Sequence, residues 1–286
     1  MPSKVIWLKM SEVNVSVVVF TKNESANILE CIKSLEGFSQ IIVIDSQSHD
    51  STKEIAMNLG IEIIDFNWNG EYPKKRQWSL ENVKYKNDWI LFVDADERIT
   101  EDFVLELKNF LARFSENFAA GSIPIDYYFA GKRLKHGQRP RKTALLRIGK
   151  VKFPVINDLT AEGMGELEGH YQPIIAGKTR KFRKSIKHND NDPISTWMSR
   201  HIGYAKWEAH LLMNPKTKIE VDSSKSGVAA WFHKLPLRPF AFFIYSFFMK
   251  FGFLDGRAGF DYAFAKSWYY WLSDVIAREK KQNAKQ

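Results

Sequence analysis

The chain has 286 residues, 42 lysines and arginines against 33 aspartates and glutamates, and a formal net charge of +9. That length holds one large catalytic domain with an appendage or two small domains, and a hydrophobic content of 44% excludes a disordered chain. The single cysteine, Cys31, excludes an internal disulfide and a cysteine zinc site, while the charge favours anionic partners: nucleic acid, nucleotides or an anionic membrane surface.

The N-terminal stretch Met1 to Lys9 has no apolar run long enough for a signal peptide, so the catalytic part is expected on the cytoplasmic side. Val13 to Phe20 reads as a β-branched strand, Thr21 to Ser25 as a polar loop and Ala26 to Leu35 as a helix. The unit repeats as strand Gln40 to Asp45, loop Ser46 to Thr52 and helix Lys53 to Leu59. Ile61 to Asp65 is a third strand, a helix runs around Lys74 to Tyr85, and Asp88 to Asp94 is the fourth strand. Strands alternating with helices predict a mainly parallel sheet with right-handed crossovers.

Beyond Glu97 an amphipathic helix is expected over Glu101 to Phe114, then strands and loops from Ile123 to Arg147 whose weak alternation points to an antiparallel addition. Ser195 to Leu212 reads as a helix. From Trp231 to Leu272, 17 of the chain's 40 aromatic residues fall within 42 positions. Phe240 to Met249 is apolar for ten residues before Lys250 interrupts it, which is too short for a membrane crossing of about 20 residues. An in-plane or re-entrant helical pair fits better, with Trp and Tyr at the headgroup level and Lys234, Arg238, Lys250, Arg257 and Lys266 towards anionic lipid. Helical packing against the catalytic domain or a second subunit is the alternative.

The residues with the clearest chemistry are Asp94-Ala95-Asp96, which end a buried strand at the edge where open α/β sheets bind ligands. Two carboxylates one residue apart can share a hard divalent ion that takes its other oxygens from water and substrate phosphates. The same pattern also caps helices. Loops beginning at Thr21, Asp45 and Asp94 should lie side by side and form a nucleotide crevice. There Asp45, Asn23 or Glu24 could accept hydrogen bonds from a base or ribose, although Asp45 and Asp50 are also ordinary turn residues. Neither a Gly-x-Gly-x-x-Gly nor a Walker loop is present, which argues against dinucleotide and P-loop enzymes.

Three stretches together, Val17-Val-Val-Phe-Thr-Lys-Asn-Glu24, Ile42-Val-Ile-Asp45-Ser-Gln-Ser-His-Asp50-Ser-Thr52 and Leu91-Phe-Val-Asp94-Ala-Asp96-Glu-Arg98, resemble the family 2 glycosyltransferases. Within that family the chain is most similar to the lipopolysaccharide-core glucosyltransferase-like branch, which shares the Asp-Ala-Asp-Glu-Arg run. The resemblance is strong over residues 13 to about 115 and looser over 116 to 212. It implies an α/β GT-A fold, Rossmann-like with a mainly parallel central sheet. Residues 1–220 would form the glycosyltransferase domain and 221–286 an aromatic-rich, helical, membrane-associating region. It further implies that Thr21, Asn23, Glu24, Asp45 and Ser46 bind the donor nucleoside and that Asp94 faces its ribose or phosphate. Asp96 would bind Mg²⁺ or Mn²⁺, with Asp94 a further metal contact; His188, which matches a histidine common in related chains, could complete the metal shell or contact diphosphate, and a structural histidine is the plainer reading. Arg76, in Lys74-Lys75-Arg76, occupies the place of a basic residue near the donor; a solvated charge run is the plainer reading of the two lysines.

Inversion at the sugar needs a base for the acceptor hydroxyl. Glu162-Gly-Met-Gly-Glu166-Leu-Glu168-Gly-His170 supplies Glu168 first, then Glu166, then His170. Relatives carry a His-Glu pair hereabouts, from which this chain departs. Arg147 and Arg183 could touch phosphate or acceptor but read more simply as surface charges. The expected function is inverting, metal-dependent transfer of a hexose from a nucleotide-sugar, a UDP-sugar first, to a lipid-linked glycan or a lipopolysaccharide or polysaccharide acceptor. The setting would be the cytoplasmic face of the inner membrane, with the protein peripheral or monotopic. Transfer to a polyprenyl phosphate is the enzymatic alternative. A non-catalytic membrane or nucleic-acid-binding protein is the remote one; aromatics gathered in one apolar tail, not interleaved with basic residues along a groove, argue against nucleic acid.

Overall fold

Strand β1 (Val13–Thr21) is buried along its length except at Asn14, as befits a central strand covered on both faces. A computed structural model describes residues 12–137, 139–168, 172–188, 193–223, 235 and 237–284. In it β1 pairs in parallel with β2 (Phe38–Asp45) on one side and with β4 (Trp89–Asp94) on the other. The short β3 (Glu62–Asp65) adds in parallel to β2. Helices α1 (Ile28–Ser34), α2 (Thr52–Asn58) and α3 (Lys75–Asn82) make the crossovers; α1 and α3 lie within the expected spans, and α2 begins one residue earlier, at Thr52.

The register decides what the strands deliver. Thr21 lies opposite Asp45, and Phe20 lies opposite Asp94, so all three polar loops leave the sheet along one edge. The β-branched and aromatic run that makes this centre fully buried also fixes the register, because a one-residue slip would turn every apolar side chain over.

After β4 the direction changes. β5 (Glu97–Arg98) is two residues long, and α4 (Glu101–Arg113) is capped by Thr100, whose hydroxyl accepts the Phe103 N–H at 3.2 Å. β6 (Ala120–Phe129) and β8 (Arg141–Arg147) are the expected antiparallel addition, with β8 inserted between β4 and β6; β7 (Lys132–Arg133) pairs back on β6. β9 (Ile186–His188) lies between β6 and β5, bringing His188 opposite Glu97.

Helix α5 (Ile194–Met213) leads into α6 (Pro215–Ser223) and packs against the long α8 (Gly256–Asn283). A second apolar cluster forms there from Phe129, Leu134, Trp197, Ala258, Tyr262 and Ala265. Between them, α7 (Arg238–Phe243) runs into a π-helical turn (Ile244–Met249) and a 3₁₀ turn (Gly252–Asp255). Two of the basic residues expected to face lipid are instead internal. Arg238 is buried against Glu208 at 3.0 Å and also pairs with Asp274, and Lys266 lies over the Tyr269 ring at 4.9 Å, where burial pushes its ammonium down to about 8. Aromatic neighbours and carboxylates on α5 and α8 explain this: the tail is packed as a helical layer, which a linear charge pattern cannot show. Lys234 lies outside the described residues.

Candidate active site

The crevice wall is built by the ends of β1 and β2. Thr21 Oγ1 donates to Asp45 Oδ1 at 2.8 Å, the Ser48 N–H donates to Asp45 Oδ2 at 2.8 Å, and the Ser48 hydroxyl donates to Oδ1. Asp45 is wholly buried, so its carboxylate ties the first two loops together. Asn23, with φ +56°, adds a second tie: its N–H donates to Ser48 Oγ and its Oδ1 accepts from the His49 N–H, each at 2.8 Å. Asparagine tolerates that left-handed backbone better than most residues. The Glu24 N–H donates to Thr52 Oγ1 at 2.7 Å, and Glu24 Oε2 accepts from Asn27 Nδ2 at 3.0 Å. The Ser46 N–H donates to the Thr21 carbonyl at 3.0 Å, while its buried hydroxyl has no hydrogen-bond partner among the described residues.

At the end of β4, Asp94 is held from three directions. Lys142 on β8 donates to Asp94 Oδ2 and to Glu97 Oε2, each at 2.7 Å; Arg76 Nη2 stands 3.5 Å from Asp94 Oδ1; and the Asp94 N–H donates to Glu97 Oε2 at 2.8 Å. Burial works against the Asp94 charge, but Lys142 and then Arg76 outweigh it and hold the carboxyl well below the usual carboxylate range. Glu97 is almost fully buried, and that burial raises its carboxyl above the ordinary value despite Lys142. Lys142 itself pays for burial but is held above its ordinary value by the two carboxylates. Neither Lys142 nor Glu97 stands out in the sequence as a site residue. Glu97 lies inside the Asp-Ala-Asp-Glu-Arg run, but Lys142 is 48 positions from Asp94 and reaches it only through the antiparallel β8.

Asp96 is turned elsewhere. Its Oδ1 is buried with no hydrogen-bond partner among the described residues and lies 3.4 Å from His188 Nδ1. The His188 ring is stacked on Tyr127, with centroids 5.3 Å apart. No cluster of three or more His, Cys, Asp or Glu that could hold a metal occurs among the described residues. An Asp–His pair with one orphaned oxygen fits an ion such as Mg²⁺ that takes few protein ligands and completes its shell with water and phosphate.

The solvated reading of Lys74 and Lys75 gives way to two buried lysines. Lys74 pairs with the buried Asp158 at 3.0 Å, and Asp158 also accepts from Trp207 Nε1 at 3.0 Å on α5. Lys75 donates to the Thr21 carbonyl at 3.0 Å and lies 3.8 Å from Glu166; burial brings its ammonium down to about 8. Arg76, at the start of α3, stays half-buried beside Asp94, with its guanidinium 6.0 Å from the centre of the Phe20 ring.

The glycine-rich segment folds over this helix start. Glu168 Oε1 accepts the Gln77 N–H at 2.8 Å in the first turn of α3, while Oε2 is buried with no hydrogen-bond partner among the described residues. Burial raises the Glu168 carboxyl above its ordinary value, with the Arg76 charge opposing. Arg76 is therefore shared electrostatically between Asp94 and Glu168. Glu166 is engaged with Lys75 through both its side chain and its carbonyl, which accepts the Lys75 N–H at 3.1 Å. Gly163, with φ +101°, touches α5 so closely that a side chain there would run into the Gly203 carbonyl. His170 lies outside the described residues. Arg147 pairs with Trp89 at the far end of β4 and with Glu116, and Arg183 is exposed; neither joins the Asp94 group.

Among curated proteins, the chain is 27% identical over 249 residues to an "uncharacterized glycosyltransferase" of Rickettsia felis, covering 85% of this chain and 82% of that one. It is 25% identical over 266 residues to the lipopolysaccharide core biosynthesis glycosyltransferase LpsC of Rhizobium meliloti, covering 87% and 88%. Among solved structures, S. aureus TarS 1-349 aligns over 94% of this chain and 92% of its own at 14% identity, with a TM-score of 0.41. Glucosyl-3-phosphoglycerate synthase of Mycobacterium tuberculosis, in complex with Mn²⁺, UDP-glucose and phosphoglyceric acid, aligns over 39% and 44% at 25% identity, with a TM-score of 0.32. The family model Glycosyl transferase family 2 matches residues 16–202, from within β1 into α5, and so takes in each loop of the crevice described above. With well over half of its length matched and the three loops of that family meeting on one sheet edge, the chain belongs to glycosyl transferase family 2 and is a glycosyltransferase.

Proposed function

We propose that the protein transfers a hexose, with inversion, from a nucleoside-diphosphate sugar to a glycan acceptor held at a membrane. The observation that carries this reading is the shared placement of Asp94, Arg76 and Glu168 at the ends of β4 and α3. The nucleoside would lie over Thr21, Asn23, Glu24, Asp45 and Ser46, where the Ser46 hydroxyl retains unused hydrogen-bonding capacity. Asp96 and His188, with Asp94 adjoining, would hold Mg²⁺ or Mn²⁺. When bound, the ion would stabilise negative charge on the departing nucleoside diphosphate.

Glu168 is the best-supported base. Its orphaned Oε2 would take the acceptor hydroxyl proton as that oxygen attacks the anomeric carbon on the face opposite the diphosphate; the carbon-to-phosphate-oxygen bond then breaks and the nucleoside diphosphate departs. A carboxylate raised by burial is a stronger base than a solvated one. Arg76 would meet charge on the diphosphate as it develops, since a fixed guanidinium needs no reorganisation at that moment. Transfer to a polyprenyl phosphate, whose acceptor oxygen is already anionic, would make Glu168 dispensable.

The membrane part of the proposal rests on the corner between α7 and α8. Phe248, Met249, Phe251, Phe253 and Leu254 are all exposed there, with Phe240 at 71% and Phe264 at 60% exposure on the flanking helices. Exposed Lys250 and Arg257 accompany them, and the basic β7 hairpin is tied to the same corner by Gly137 N–H to the Lys250 carbonyl, 2.8 Å, and Lys135 N–H to Asp255, 3.1 Å. No helix among the described residues is long and apolar enough to cross a membrane. Apolar side chains ringed by cations fit shallow insertion into an anionic surface. We place catalysis in residues 1–220 and attachment in 221–286, on the cytoplasmic face of the inner membrane.

The deciding experiment is a screen of nucleoside diphosphates and their sugars for thermal stabilisation and sugar release, with and without Mn²⁺. Stabilisation by a UDP-sugar, enhanced by Mn²⁺, is expected. No response to any nucleoside diphosphate would end the reading.

A further inference from the structure

Beside the first turns of α3 lies a groove of about 340 Å³, within the range of roughly 300–1,000 Å³ that small-molecule sites occupy. Tyr72, Phe153 and Val155 give it apolar surface, and Gln77, Glu81 and Lys152 give it polar groups. Glu168, only 2% exposed, lines it as well, and Glu168 Oε2 has no hydrogen-bond partner among the described residues. No residue of the three crevice loops is among the described lining residues, nor is Arg76, Lys142 or His188, so the groove is distinct from the donor crevice. Glu168 connects the two, since the Arg76 charge beside Asp94 acts on its carboxyl.

The groove is already built. The Tyr72 hydroxyl donates to Asp158 Oδ1 at 2.6 Å, the Phe153 N–H donates to Gln77 Oε1 at 2.6 Å, and Gln77 Nε2 donates to Glu81 Oε1 at 2.7 Å. The Phe153 ring is stacked on Phe92, with centroids 6.4 Å apart. Fixed walls spare a ligand the cost of ordering its own site. The lining charges also cancel: Lys74 is held by Asp158 at 3.0 Å, and Lys152 shares the groove with Glu81 and Glu168. Without a positive excess, the groove offers a phosphate or carboxylate no net attraction. A neutral sugar ring, with apolar C–H faces and hydroxyl edges, matches apolar surface accompanied by a few fixed polar groups.

We propose that this groove seats the acceptor and that the acceptor unit it takes is a neutral sugar, with a hydroxyl at Glu168. The assignment rests on the sugar-transfer reading above and adds to it the acceptor's place and chemistry. It favours a glycan hydroxyl over a polyprenyl phosphate, whose charge would meet the Glu168 carboxylate.

Saturation-transfer NMR on the full chain tests it, with the methyl glycosides of glucose, galactose, mannose and N-acetylglucosamine, each with and without UDP and Mn²⁺. At least one glycoside should bind, and inorganic phosphate should not displace it. Val155→Trp, at a position 74% exposed, crowds the groove without touching the core and should weaken that binding by about tenfold or more. Glu81→Ala and Lys152→Ala each remove an exposed polar group and should weaken it by about threefold, the scale of one hydrogen bond. In turnover, Val155→Trp should raise the KM for the acceptor glycoside by the same factor as the loss of binding and leave that for the UDP-sugar unchanged. Binding of none of the glycosides, displacement by phosphate, or equal binding in all three variants would overturn the assignment. UDP titration reads the donor crevice separately: UDP binding without glycoside binding counts against the groove alone, and glycoside binding without UDP binding counts against sugar transfer and leaves the groove a saccharide site.

Discussion

Asp94 and Asp96 are one residue apart, yet the fold gives them different surroundings. Asp94 is neutralised by Lys142 and Arg76, whereas Asp96 keeps a buried oxygen without a hydrogen-bond partner among the described residues, next to His188. Asp96→Ala should therefore lower transfer on the order of hundredfold or more while leaving the thermal midpoint nearly unchanged, measured as turnover beside a melting curve. Lys142→Met should do the reverse in emphasis, because it strands the buried Glu97. Breaking such a pair costs about 3–5 kcal/mol when both partners are buried, and less here because Asp94 is partly open to solvent. Denaturant unfolding should show that loss, and adding Glu97→Gln should recover part of it. Glu168 sets a pH dependence. Its carboxyl is raised by burial, so the activity of a Glu168 base should rise with pH through a midpoint above the ordinary carboxylate value. Its contribution to stability runs the other way: it is full below the unfolded-state value of 4.5 and is lost as pH rises through the folded value. Glu168→Gln should abolish the pH-dependent limb of activity and melt no lower than the wild type at neutral pH; a variant with full activity would favour a phosphate acceptor.

At the scale of elements, the parallel core was legible because each strand is a continuous apolar run that ends in polar residues. Val13 to Phe20 and Trp89 to Val93 leave no choice of register, and the register alone carries Thr21, Asp45 and Asp94 to one edge. The glycine-rich segment was legible as a set of candidate bases, Glu168, Glu166 and His170, but not as a packed element. Gly163 meets Gly203 of α5, and this contact supports the turn that carries Glu166 and Glu168 to the start of α3. Gly163→Val should cost about 1–3 kcal/mol from overpacking and backbone strain and should lower turnover more than a comparable substitution at exposed Gly60. Paired melting curves and rates would check it.

At the scale of the whole molecule, the aromatic tail divides its residues between two tasks. Tyr262, Tyr269 and Arg238 are buried within the helical layer, while Phe248, Phe251 and Leu254 face outward at one corner. Replacing Phe248 and Phe251 together by serine should weaken binding to anionic vesicles by about tenfold or more, given about 1.5–3 kcal/mol for each aromatic side chain fully inserted. Added salt should weaken the wild type as well, by screening Lys250 and Arg257. Vesicle sedimentation with neutral and anionic lipids would measure both effects. The local order of residues was enough to establish the crossover pattern, the three loops, their likeness to one family and the aromatic density of the tail, because each depends on neighbours within a few positions. The partners of charged residues were settled by folding alone. Lys142 meets Asp94 across an antiparallel pair, Lys74 meets Asp158 beneath α5, and Arg238 meets Glu208 and Asp274 between two helices. Ion pairing depends on distance through space, and a chain that reverses direction brings together charges whose separation along it carries no trace of the encounter.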